Sequence, residues 1–207
     1  MQIDKIFVAS TNQDKIKEIR TIFNSSTGNK LQICSISELD ISEPDEPYAT
    51  FMDNAIHKAK YYASFAQAPA LSEDSGLCVT ALNGFPGVNT KQFVLDSGGI
   101  DKAYARLEKL LADADNLSAY FVCAACLFIP QNGVTITGEG KHDGTLSFPP
   151  RGIDGFAFDL VFVPDGHSQV MAELGRELKN IIGHRWLAIK AVMENLATLF
   201  PYTIVFT

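Results

Sequence analysis

The chain has 207 residues, 46% of them hydrophobic and 20% charged, with a formal net charge of −7. That composition is globular and fits one domain, or one domain with two lobes. The negative balance excludes a nucleic-acid polymer as partner, and no apolar run approaches the roughly 20 residues of a membrane span. From the N-terminus, Ile3–Ala9 reads as a strand and not as a signal peptide, so a cytoplasmic chain is expected. The loop Ser10-Thr11-Asn12 leads into a helix from Asn12 to about Asn24, with Ile16, Ile19, Ile22 and Phe23 on one side. Leu31–Ser35 is a strand, and Ile41–Ala49 an acidic, proline-containing loop. Thr50 to about Phe65 is a helix, opened by an approximate capping box of Thr50 and Asp53.

Ala70–Leu82 reads as a strand pair interrupted by an acidic turn at Ser72-Glu73-Asp74-Ser75-Gly76. Asp101–Leu111 is an amphipathic helix. Ala119–Ile129 is a long strand, joined through Gln131-Asn132-Gly133 to a second strand over Val134–Glu139. Thr145–Gly155 is a loop rich in Pro and Gly. Phe156–Val163 is a strand carrying Phe156, Phe158 and Phe162 on one face, followed by a turn at Pro164-Asp165-Gly166. Two helices close the chain, near Gly175–Ile181 and from His184 to about Leu199. Cys123 and Cys126 have metal-site spacing, but on a strand they point to opposite faces and read as small buried hydrophobes.

The adjacent acids Glu73 and Asp74 carry the strongest chemical signal. Two neighbouring carboxylates repel unless something positive joins them, and a divalent metal is the usual solution. Three other stretches are ambiguous when taken singly. At Ser10-Thr11-Asn12 with Lys15, a helix start and a cation suit an anion, although an Asn cap beside an exposed Lys explains the same residues. Asn54 and Lys58 share a helix face that suits phosphate or simply solvent. Asp159 lies among aromatics and needs a partner, while His184 and Arg185 offer donors to a base carbonyl or to local acids.

Together these motifs resemble the inosine triphosphate pyrophosphatases. The likeness runs in order from the Ser-Thr-Asn-x-x-Lys loop, through Glu46 and Phe51–Ala59, to Asp74-Ser75-Gly76-Leu77. It continues through Gly84-Phe85-Pro86-Gly87 and Gly155–Phe162 to Lys179–Arg185. The resemblance implies an α/β fold: one two-lobed domain over residues 1–207, with a mixed, elongated central sheet flanked by helices and the active-site cleft between the lobes. It implies hydrolysis of ITP, dITP and XTP between the α and β phosphates, with Mg²⁺, or Mn²⁺ in its place. Glu46 and Asp74 are the implied metal ligands, with Glu73 at the same metal site either behind them or assisting, and Asp74 and Lys15 are the catalytic residues. Asn12, Lys15, Lys58 and Lys179 would bind the triphosphate, and Ser10, Thr11 and Ser75 are further substrate-binding residues. Phe156 would stack on the purine, Phe158 is a further substrate-binding residue, and Asp159, His184 and Arg185 would read the purine's six-position carbonyl side. The implied assembly is a homodimer. The family usually has Ser at the position of Gly183 and Asp at that of Glu73. A catalytically retired nucleotide-binding protein of the same fold is the alternative, against which the intact Lys15, Glu46 and Asp74 argue.

Overall fold

The computed structural model describes residues 3–27, 32–153, 155 and 157–200. In chain order the elements are β1 (Lys5–Val8), α1 (Gln13–Thr27), β2 (Gln32–Ser35), α2 (Phe51–Ala66), β3 (Ala70–Val79), α3 (Thr90–Ser97) and α4 (Ile100–Leu110). They continue as β4 (Ser118–Ile129), β5 (Val134–Leu146), β6 (Phe162–Pro164), α5 (Arg176–Ile182) and α6 (His184–Leu199). The fold is mixed α/β, with strand order β2-β1-β3-β4-β5-β6. Contacts divide the chain into two compact units, and β3, β4 and β5 contribute residues to both.

The first unit comprises Met1–Asp74, Cys123–Gly140 and Arg185–Thr207. Here β1 pairs in parallel with β2 (Phe7 opposite Cys34) and with β3 (Phe7 opposite Ala70). Parallel strands of this kind are buried on both faces, and alternation along each strand sorts the side chains between them. Ile6, Val8, Leu71, Cys123, Ala125 and Leu127 pack with Ile16, Ile19 and Phe23 of α1 and Ala188, Ile189 and Val192 of α6. On the other face Phe7 and Ala70 meet Tyr62 and Ala63 of α2, while Ala124 and Cys126 meet Ala55 and Ala59. Cys123 and Cys126 therefore do face opposite ways, and both are buried free thiols. Gly138 on β5 lets α6 approach closely, since a Cβ there would lie 2.3 Å from the Ala188 carbonyl oxygen.

The second unit comprises Ser75–Val122 and Lys141–His184. Its core joins Leu77 and Val79 to Phe93, Tyr104, Leu107, Phe121, Phe158 and Phe162, and β5 pairs antiparallel with β6. Helix α3 was not anticipated by the sequence pattern.

Three expectations are corrected. The acidic segment is no turn: β3 runs unbroken through Glu73 and Asp74. The expected strand Val134–Glu139 extends to Leu146. The expected strand over Phe156–Val163 is a 3-10 turn at Ala157–Leu160 followed by the short β6. Positive φ at Gly155 (105°) and at Ala157 (51°) is incompatible with an extended chain there.

Candidate active site

The loop after β1 is built around the start of α1. Asn12 Oδ1 accepts from the Lys15 N–H at 3.3 Å, as a capping side chain does. Ser10 Oγ accepts from the Asn12 N–H at 3.1 Å, and the Thr11 hydroxyl donates to Glu43 at 2.7 Å. Lys15, in the first turn of the helix, reaches Glu73 Oε1 at 2.6 Å.

Continuity of β3 determines what the two acids meet. Alternation sends Leu71 and Glu73 to the α1/α6 face, and Ala70, Ser72 and Asp74 to the α2 face. Glu73 is thus closed in by Lys15, by Arg185 Nε at 3.7 Å, and by the Cys123 thiol, which donates to Oε2 at 3.5 Å. Arg185 in turn pairs with Glu18, which sits one helical turn beyond Lys15 on α1. On the other face Asn54 Nδ2 donates to Asp74 Oδ2 at 3.2 Å, and Lys58 Nζ lies 3.4 Å from Oδ1. The same ammonium donates to Glu46 Oε1. Asn54 is itself fixed, accepting from the Tyr48 N–H and donating to the Tyr48 carbonyl. At the start of α2, Thr50 accepts from the Asp53 N–H at 3.1 Å, so that end of the helix forms as its sequence indicated.

These surroundings push neighbouring carboxyls in opposite directions. Burial alone would raise Glu73, but Lys15, Arg185 and Lys58 outweigh it and hold the group well below the usual carboxylate range. Asp74 is raised, chiefly by burial; Lys58 and Asn54 only partly counter this, and the charges of Glu46 and Glu73 add to it. Burial works against the charge on Lys58, yet Asp74, Glu46 and Glu73 raise it and keep the ammonium protonated.

The repulsion that made a metal the natural partner of Glu73 and Asp74 is thus relieved by the protein's own cations. Glu73 faces away from Glu46 and Asp74, so the three acids do not converge. Among the described residues no group of three or more His, Cys, Asp or Glu side chains is arranged to hold a metal. Glu46 and Asp74 do converge, on the single ammonium of Lys58. That nitrogen marks a cation position with two carboxylate donors, a set that suits Mg²⁺ when phosphate oxygens complete the shell.

In the second unit, Lys179 Nζ and Asp159 Oδ2 form a buried pair at 2.7 Å. Gly155 makes this possible, because a Cβ there would stand 2.9 Å from Asp159 Oδ2. The carboxylate expected to need a partner among aromatics has found Lys179. Phe158, expected among the substrate-binding residues, is a core residue: it is 1% exposed and packs against Phe93 and Tyr104. His184 stacks on Phe121 with ring centroids 4.7 Å apart. Ser75 follows Asp74 on β3 and is half-buried. Phe156 lies outside the described residues. Gly183 ends α5, where a Cβ would come within 2.6 Å of the Lys179 carbonyl oxygen, so the serine usual in the family would force a shift here.

Arg185 stands in the first unit: its side chain is 5% exposed and its guanidinium is engaged by Glu18 and Glu73, which places it inside the charge network. Glu18 and Cys123 were not singled out from the sequence as members of this network. For Glu18 the signal was present, since it lies three residues beyond Lys15 on one helix face. For Cys123 it was absent, because a thiol in an apolar strand looks like packing.

A Ham1 family model matches residues 6–195. A dITP/XTP pyrophosphatase of Gluconobacter oxydans (strain 621H) is 38% identical over 190 residues, covering 92% of this chain and 89% of that protein. A dITP/XTP pyrophosphatase of Rhodospirillum centenum (strain ATCC 51521 / SW) is 39% identical over 193 residues, covering 92% and 93%. Among solved structures, the Staphylococcus aureus Ham1 protein aligns with TM-score 0.82 and 30% identity, over 94% of this chain and 99% of that one.

Proposed function

This chain belongs to the Ham1 family, and from that membership we infer that it is a nucleoside-triphosphate pyrophosphatase acting on dITP, XTP and ITP. The observation that carries the reading is the raised carboxyl of Asp74 between Asn54 and Lys58. It occurs in a chain matched over 92% of its length by proteins named for that activity. On this reading water attacks the α phosphorus and pyrophosphate leaves. Asp74 takes the proton of the attacking water, a role suited to a carboxyl whose surroundings favour its protonated form. Glu73, held ionised on the opposite face, is assigned to positioning Lys15 and Arg185.

Lys15 and Lys58 hold the triphosphate and offset charge developing on the leaving group. Ser10, Thr11, Asn12 and the first N–H groups of α1 favour the same anion. Glu46 and Asp74 would hold Mg²⁺, or Mn²⁺ in its place. When bound, the ion supplies a Lewis acid that neutralises phosphate oxygens. For the purine, Phe156 is assigned to stacking, and His184 with Asp159 to reading the six-position oxygen; Lys179, which pairs with Asp159, is assigned to the triphosphate. A pocket committed to that carbonyl rejects an amino group, because its own polar atoms are left unpaired. The same reading makes the protein a cytoplasmic homodimer. Among the described residues, no helix is long and apolar enough to cross a membrane.

The test is product identification after incubation with dITP, XTP, ITP, ATP, GTP and dUTP, in Mg²⁺ and in EDTA. Expected is pyrophosphate from the first three only, lost in EDTA. Asp74→Asn is expected to lower kcat by about 10²-fold or more. Nucleotide binding without turnover would favour the retired binding protein.

A further inference from the structure

We propose that Lys58 is a built-in counter-ion that keeps a divalent cation off Glu46 and Asp74 until a triphosphate draws its ammonium away. The identity of the anion rests on the pyrophosphatase reading; the exclusion of the metal rests on geometry alone. Glu46, from the loop before α2, and Asp74, from β3, both aim a carboxylate oxygen at one nitrogen. The Lys58 side chain is only 11% exposed, so its charge is poorly screened by water. A divalent cation entering between the same two oxygens would meet a close like charge in a partly desolvated setting, and either the metal or the ammonium has to leave.

Lys58 is suited to leaving. It is a point charge on a flexible four-carbon stem, with no fixed fork to disassemble. The phosphates of a nucleotide offer it a more highly charged partner than two carboxylates. The cation seat outlasts its departure, because Asn54 continues to hold Asp74 Oδ2 and is anchored by both polar groups of the Tyr48 backbone. Metal and nucleotide then bind cooperatively by relocation of one charge, and each raises the affinity of the other by the same factor. An acidic protein with two converging carboxylates thereby avoids filling the seat with a cation in the absence of substrate.

The test is Mn²⁺ binding without nucleotide, followed by the electron paramagnetic resonance signal of the free ion. Wild type is expected to bind weakly. Lys58→Met and Lys58→Gln are expected to bind Mn²⁺ more tightly by about tenfold or more, as removal of a buried like charge implies. Lys58→Arg, which keeps the charge, should stay weak, and adding Glu46→Gln to Lys58→Met should abolish the gain. Lys58→Gln keeps a hydrogen-bonding side-chain N–H, one atom short of the lysine nitrogen, which protects the test if the Met variant folds poorly. The Mn²⁺-induced rise in Tm gives a second readout on the same variants. The proposal is overturned if folded Lys58→Met and Lys58→Gln bind Mn²⁺ no more tightly than wild type, or if Lys58→Arg binds as tightly as they do. No turnover enters the measurement. Unchanged Mn²⁺ affinity in the variants, beside intact dITP hydrolysis by wild type, overturns this proposal alone. Tightened affinity in the variants, beside absent hydrolysis by wild type, supports it and overturns the functional reading.

Discussion

At Glu73 the carboxylate is closed among Lys15, Arg185 and the Cys123 thiol, so removing its charge strands cations in a buried setting. Glu73→Gln is expected to destabilise the fold by about 3–5 kcal/mol at neutral pH. The pH dependence follows from the direction of the shift. Glu73 is lowered on folding, so its contribution is present above its ordinary value of 4.5 and is lost as pH falls through its lower folded value. Urea unfolding in EDTA should therefore show the gap between wild type and Glu73→Gln widest near neutrality and closing in acid. Asp74 has the opposite sign: its folded carboxyl is raised, so its contribution is lost as pH rises through the folded value. The same Asp74→Asn change that is expected to lower kcat is thus also expected to raise Tm at neutral pH, the usual exchange of stability for a charge that the proposed function needs. The acids themselves were legible in the sequence. Their separate fates were not, because Lys15, Arg185, Lys58 and Asn54 come from three helices that only the fold brings to β3.

At the scale of elements, what was legible was what depends on near neighbours. Thr50 capping Asp53 marks the start of α2, the apolar spacing of Ile16, Ile19, Ile22 and Phe23 marks α1, and His184–Leu199 is helical as its sequence indicated. The misreadings have tertiary causes. An acid pair inside a buried strand contradicts the ordinary preference of charge for water, so Glu73-Asp74 resembles a turn until the cations on both faces are known. The aromatic run near Phe158 resembles a strand, but the chain bends at Ala157, whose carbonyl accepts from the Tyr104 hydroxyl at 2.6 Å. Close packing also leaves its mark at Gly138, where a Cβ would stand 2.3 Å from the Ala188 carbonyl oxygen and 2.7 Å from the Val192 nitrogen. Both are backbone atoms of α6 and cannot rotate aside. Gly138→Ala is expected to cost about 1–3 kcal/mol by overpacking, measured as a lower midpoint in urea with an unchanged m-value.

For the whole molecule, the net charge of −7 sets a condition on any polyanionic substrate: attraction has to be local. Lys15 and Lys58 are each paired with a carboxylate, and under the proposed function they supply it by exchanging that partner for phosphate. Family membership was legible from motif order along the chain, and the matching relatives span nearly all of it. The bond that is broken is the central claim, and hydrolysis of dITP in ¹⁸O-labelled water tests it most directly. The account predicts dIMP and pyrophosphate as products, with the label in dIMP, as attack at the α phosphorus requires. Orthophosphate with dIDP, or label recovered in the pyrophosphate, would contradict it.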